Sequence, residues 1–174
     1  LSRREGVTLF MTLLAGWQTL LARYSGDSES TVGTPIANRQ RVATEHLIGF
    51  FVNTLVMRAS LPPDITFKSL LKQVQETALG AYAHQDLPFE KLVEELQPER
   101  SLSHTPLFQV MFALQNAPSG VLETAGLKLT LASHELEEMS AKFDLFLSLE
   151  ETGAASRARC ATTQTCSPKR PSAV

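Results

Sequence analysis

The run Ile48–Arg58, IGFFVNTLVMR, constrains this chain more than any other stretch. It has the length of a strand, is rich in β-branched and aromatic residues, and is followed by the breakers Pro62 and Pro63. Alternation puts Phe51, Leu55 and Met57 on one face and Phe50, Val52 and Val56 on the other. A strand apolar on both faces is covered on both, which predicts a place in the middle of a sheet. Asn53 interrupts the run with an amide that has two donors and an acceptor to satisfy. A buried amide left unpaired costs roughly 1–3 kcal/mol. Asn53 must therefore hold either backbone or a bound molecule, and the residues alone leave both open.

Around this run the hydropathy pattern predicts alternating element types. Phe10, Leu13, Leu14, Trp17, Leu20, Leu21 and Tyr24 recur at helical spacing over Val7–Tyr24, with Thr8 placed to cap the start and Gly26 to end it. Trp17 on that stripe reads as core. Thr31–Gly33 forms a short strand, and Pro35 forces an extended or turning path. A polar loop with Arg39, Arg41 and His46 leads into the central run. Phe67, Leu70, Leu71, Val74 and Ala78 mark a second amphipathic helix. Pro88 opens a third, with Phe89, Leu92, Val93 and Leu96 on its apolar face, so His84–Leu87 is a tight joint between two helices. After Pro106, Phe108, Val110, Phe112 and Leu114 alternate against Leu107 and Met111, a second strand buried on both faces. Leu127–Leu131 and Phe143–Leu149 read as further strands. Helices interleaved with these strands predict an α/β fold with a mixed sheet packed with helices.

Composition narrows the function classes. At 174 residues and 43% hydrophobic the chain fits one globular domain, and a net charge of −2 with scattered basic residues gives a nucleic-acid partner no footing. There is no apolar run long enough to span a membrane and no signal-peptide core, and opening on Leu suggests a piece of something longer. Cys160 and Cys166 both fall near the end, so the patterned part has no thiol, and a reducing cytoplasm is the default compartment. His84 and Asp86 could pass for a general base and its orienter. At i, i+2 in a helix joint they fit structural work better: Asp86 capping the Pro88 helix, His84 tying the loop to a carbonyl. Glu94 and Glu95, on adjacent helix positions, read as a solvated face. His46, His104 and His134 are isolated and suggest no metal site. No phosphate loop or nucleophile elbow is present, so the residues give no complete catalytic set.

Four stretches taken together go further. VGTPIANR (Val32–Arg39), IGFFVNTLVMR (Ile48–Arg58), HQDLPFEKLV (His84–Val93) and RSLSHTPLFQVMF (Arg100–Phe112) resemble, in order and spacing, motifs of the condensation domain of nonribosomal peptide synthetases. The resemblance covers roughly residues 6–152, and it is to the C-terminal lobe only. It implies half of a two-lobed fold, each lobe like chloramphenicol acetyltransferase. Between the lobes runs a tunnel into which carrier domains bring 4'-phosphopantetheine arms; no cofactor is bound directly. There the acceptor amine attacks the donor thioester. The implied partners are the N-terminal lobe, peptidyl or acyl carrier domains and an adjacent adenylation domain, with no nucleic acid and no membrane. The catalytic H-H-x-x-x-D-G motif of the family's N-terminal lobe does not occur in this sequence, so no catalytic residue is assigned.

By the same resemblance Gly33, Thr34, Pro35 and Arg39 match a loop crossing beneath the tunnel, Asn53 matches the V-N-T position, and Arg58 sits at a strand end suited to pairing with an acid. His84, Asp86, Pro88, Phe89 and Glu90 keep structural roles, and Arg100, Pro106 and Phe108 fix strand register. On this reading Asn53→Ala should reduce condensation more than stability. A lobe of an epimerisation or heterocyclisation domain and a non-catalytic carrier-docking module are the alternatives.

The tail departs from the pattern. Residues 153–174, GAASRARCATTQTCSPKRPSAV, lack apolar periodicity and read as disordered and foreign to the family. With permitted third bases, a shift of the frame back by one nucleotide recovers GRGLAGSLRYNTDLFAEATVS, which resembles the family's G-S-L-x-Y-x-T-D-L-F continuation. A frame slip is thus the expected origin of the tail.

Overall fold

The computed structural model describes residues 1–39, 42–98, 105–115, 122–124, 127–129, 143–152 and 155–162. They fall into two compact units, Leu1–Phe112 and Ala113–Val174. In the first unit a short α1 (Ser2–Glu5) precedes α2 (Leu9–Ser25). Thr8 caps α2 by accepting the Met11 N–H, and Gly26 ends it at φ 80°, a left-handed conformation that costs a residue without Cβ little. The strand β1 (Glu29–Ile36), α3 (Val42–Glu45) and β2 (Asn53–Ser60) follow. Then come α4 (Phe67–Ala83), capped by Thr66, and α5 (Phe89–Leu96). β3 (Val110–Gln115) follows, and the boundary of this unit falls within it, after Phe112.

β1 is the central strand here. It pairs antiparallel with β2 from Glu29↔Ser60 to Ile36↔Asn53, and parallel with β3 at Val32↔Val110 and Gly33↔Met111. One antiparallel and one parallel neighbour make the sheet mixed, as expected, and α2 and α4 pack on it and on each other. Pro35 lies two residues beyond these parallel pairs, where its missing N–H costs that ladder nothing. The core is built from Met11, Leu14, Val32, Met57, Leu71 and Phe112, with Gln18 buried among them. Gln18 donates its amide to the Met57 carbonyl at 3.1 Å. Met111, Phe112 and Ala113 are buried in succession, so β3 is covered on both faces as its sequence predicts.

The central run departs from expectation. The strand starts at Asn53, not at Ile48, and only one of its faces is buried: Leu55, Met57 and Ala59 point inward while Arg58 and Ser60 are exposed. Nor does β2 sit mid-sheet, since β1 is its one strand partner among the described residues. The helix α4 covers that edge instead. Gln73 accepts the Ser60 N–H at 2.7 Å and the Thr77 hydroxyl donates to the Arg58 carbonyl at 3.3 Å, so helix side chains satisfy groups a neighbouring strand would take.

In the second unit β4 (Leu122–Thr124) pairs antiparallel with β5 (Leu127–Leu129), and β6 (Leu145–Thr152) with β7 (Ala155–Thr162). β7 corrects the expectation of disorder for residues 155–162. Ladder hydrogen bonds belong to the backbone, so a hairpin forms without apolar alternation. Arg159 adds a contact to Glu150 across it at 3.9 Å. Arg41, Arg100, His104, Leu131, His134 and Cys166 lie outside the described residues. No helix among the described residues is long and apolar enough to cross a membrane.

The Thr8 cap gives a direct check on α2. Thr8→Ala should lower the unfolding free energy by about 1 kcal/mol, measured by denaturant titration.

Candidate functional site

Three of the motifs meet around one side chain, and Phe108 of the fourth reaches it through Phe89. Asn53 opens β2 opposite Ile36 of β1, and its amide reaches the joint between α4 and α5. Nδ2 donates to the carbonyls of Gln85 at 2.9 Å and Leu87 at 2.8 Å. Oδ1 accepts the N–H of Thr54 at 2.8 Å and of Phe89 at 3.0 Å. These bonds use both donors and both lone pairs, so the amide has no capacity left for a ligand. All four of these partners are backbone groups.

The bond to Phe89 also corrects the role given to Asp86. α5 begins after Pro88, whose side chain offers no acceptor, and no side chain caps it from its own segment. The first N–H of the helix is met by Asn53 from a strand far away in sequence. Asp86 is exposed, as is Glu90 in the first turn, where a carboxylate suits the helix N-terminus. His84 is the exposed C-cap of α4, and it is the backbone that bonds there: its N–H to Ala81, its carbonyl from the Leu87 N–H at 3.1 Å. Among the described residues neither the His84 imidazole nor the Asp86 carboxylate has a hydrogen bond, so they form no base and orienter pair.

The network continues through Phe89. Its ring lies 5.5 Å from the buried ring of Phe108, centroid to centroid. Phe108 in turn sits directly over Gly33: a Cβ there would overlap the ring, with Cδ2 at 2.8 Å. Gly33 is therefore required for close approach and not for a special backbone angle. Pro106 accepts the Phe108 N–H at 2.9 Å, and the Thr105 hydroxyl donates to the Phe108 carbonyl, which together set the ring at the entrance to β3. Thr34 is buried in β1 opposite Leu55, and Pro35 lies opposite Thr54. Arg58 pairs with Glu29 across β1 and β2 at 2.6 Å, a pair exposed enough to contribute little.

A cleft of about 410 Å³ lies above this tie, with Phe50, Val52 and Asn53 on one side and Asp86, Phe89 and Glu90 on the other. Its wall from the central run is more open than hydropathy suggests. Ile48 is fully exposed and Phe50 91% exposed, with Leu47 and Val52 also outside the core. Arg39 holds this loop from beneath through backbone carbonyls and the face of Phe51. Hydropathy marks apolar residues but not which surface they meet, which is why the sequence pattern predicts Phe50 and Val52 as buried. Among the described residues no cluster of metal-ligating side chains occurs. The cleft is mixed in character, with the rings of Phe50, Phe51 and Phe89 beside the carboxylates of Asp86 and Glu90.

A mixed sheet with helices packed on it and four motifs converging on one joint is the chloramphenicol-acetyltransferase-like fold. The Condensation domain family matches residues 1–164. One of the proteins that make up the linear gramicidin synthase of Brevibacillus parabrevis is 59% identical over 154 residues, covering 88% of this chain and 2% of that protein. The malpinin synthetase of Mortierella alpina is 52% identical over 151 residues, covering 87% of this chain and 2% of that protein. Among solved structures, holo-AB3403, a four-domain nonribosomal peptide synthetase bound to AMP and glycine, superposes with a TM-score of 0.82 at 24% identity, over 94% of this chain and 13% of that one. The condensation domain from the monacolin K polyketide synthase MokA gives a TM-score of 0.75 at 25% identity, over 94% of this chain and 38% of that one. The chain belongs to the condensation domain family of nonribosomal peptide synthetases.

Two substitutions test the network. Asn53→Ala strips partners from two carbonyls and two N–H groups and should destabilise by about 2 kcal/mol or more. Its unfolding midpoint should therefore fall, as a denaturant titration will read. Gly33→Ala should cost about 1–3 kcal/mol by overpacking, and Phe108→Leu in the same chain should recover part of it in a double-mutant cycle.

Proposed function

We propose that this chain is the C-terminal lobe of a peptide-bond-forming condensation domain and that it shapes the substrate tunnel without supplying the catalytic histidine. In the complete domain the amine of one carrier-bound aminoacyl thioester attacks the thioester carbon of another. A C–N bond forms, the C–S bond breaks, and the donor's phosphopantetheine thiol leaves with the amine's proton. The tunnel residues proposed from the motifs, Gly33, Thr34, Pro35, Arg39, Asn53 and Arg58, act in this reading through the shape they hold.

The observation that carries it is the exposed apolar loop before β2. Ile48 and Phe50 stand clear of the core on a segment fixed from beneath, the arrangement of a surface built to be covered. The occupant is the other lobe: this chain covers 38% of the MokA condensation domain, so most of such a domain lies outside it. Ile48→Asp with Phe50→Asp in an intact synthetase should cut condensation at least tenfold, each anchor carrying about 2 kcal/mol. Product formation at the unmodified rate would overturn the reading. Binding of a holo-carrier domain without any condensation by the complete protein would favour the docking module.

The origin of the tail belongs to the same reading. Residues 153–174 are proposed to be frame-shifted translation of a condensation-domain gene. The gramicidin synthase relative matches 154 residues, 88% of the chain, and the family model runs to residue 164, so the last ten residues lie beyond it. Resequencing the coding DNA is expected to show Y-N-T-D-L-F in the frame shifted by one base; its absence there sinks the proposal.

A further inference from the structure

From His46 to Val52 the chain runs in no regular element, and its local backbone bonding is the Leu47 N–H to the Thr44 carbonyl, long at 3.4 Å. Among the described residues one side chain ties this loop at several points. Arg39 Nη1 donates to the carbonyls of Thr44 at 2.7 Å and Leu47 at 2.6 Å, and Nη2 donates to that of Gly49 at 3.3 Å. The guanidinium carbon lies 4.3 Å from the centroid of Phe51. One rigid, planar cation thus fixes the loop at points on both sides of Ile48 and next to Phe50, the two residues it turns outward. A lysine has the charge but not the fork: an ammonium cannot span the same carbonyls and still lie flat on the ring.

We infer that Arg39 is a positioning residue which pre-orders the apolar loop Leu47–Val52 for docking, touching neither reactant. This rests on the reading that the loop docks against the remainder of the condensation domain. A surface ordered before contact does not have to lose loop freedom on docking, so the clamp strengthens the interface without adding a contact to it. Its place three residues past β1 ties the loop to the most deeply paired strand of the unit. These bonds and the ring contact go to the segment 44–51.

The test uses an intact synthetase carrying this lobe, with Arg39→Lys and Arg39→Gln beside the Ile48→Asp/Phe50→Asp pair. Hydrogen exchange is followed peptide by peptide together with condensation rate. Amides of 46–52 should exchange at least ~10-fold faster in both Arg39 variants while those of α2 and α4 keep their rates, and condensation should fall in parallel. Unchanged exchange in the loop of Arg39→Lys overturns the clamp. Exchange accelerated equally in α2 and α4 overturns it too, by making Arg39 a stability residue. A loosened loop with undiminished condensation, where the Asp pair abolishes it, overturns the positioning role and leaves the docking reading intact. If the Asp pair also condenses at full rate, the docking reading fails and the inference with it.

Discussion

The amide of Asn53 is the constraint on which the first unit depends. It links the start of an edge strand to a helix joint and gives α5 the acceptor its own N-terminus lacks. No other residue type of similar size supplies two donors and a carbonyl oxygen in one plane. Aspartate loses the donors and leucine loses everything, so the position tolerates little. The joint it holds then positions Phe89 against Phe108, and Phe108 finds its seat on Gly33. Four sequence motifs that are far apart along the chain are consecutive steps of one packing chain in space.

How much of this is legible in the sequence depends on whether the determining physics is local. Thr8 and Gly26 mark the ends of α2, and Pro88 marks the start of α5, because caps and fixed φ angles act within a few residues. β3 is readable as covered on both faces because the residues that cover it are in the same chain. The central run misleads for the opposite reason. Leu47, Ile48 and Phe50 carry the same hydropathy as core residues, but the described part of the first unit leaves them exposed. Asp86 misleads because a cap can be supplied across space. The strand at residues 155–162 is hidden because main-chain pairing leaves no mark on composition.

The site divides along the same line. Residue types alone suggest no complete catalytic set, and among the described residues His84 and Asp86 are exposed and do not bond each other. What the motif residues do requires the coordinates. Gly33, Asn53, Phe89 and Phe108 serve one another, and Arg39 serves a loop. Motif residues in this chain are therefore chiefly residues that hold backbone in place, and the surfaces they hold are lined by less distinctive apolar side chains such as Phe50 and Val52.

The parallel pairing of β1 with β3 has a consequence for the order in which the chain assembles. β1, β2 and α4 are neighbours in sequence and can close soon after leaving the ribosome. β3 cannot join them until both α4 and α5 have been made, because a parallel partner needs the whole crossover. Until then the ring of Phe108 is missing, and the bare Cα of Gly33 faces an unfilled groove on the central strand of the unit. A nascent chain halted between α5 and β3 thus exposes a sheet edge as well as that groove, which makes this interval of synthesis the one in which a chaperone has most to protect.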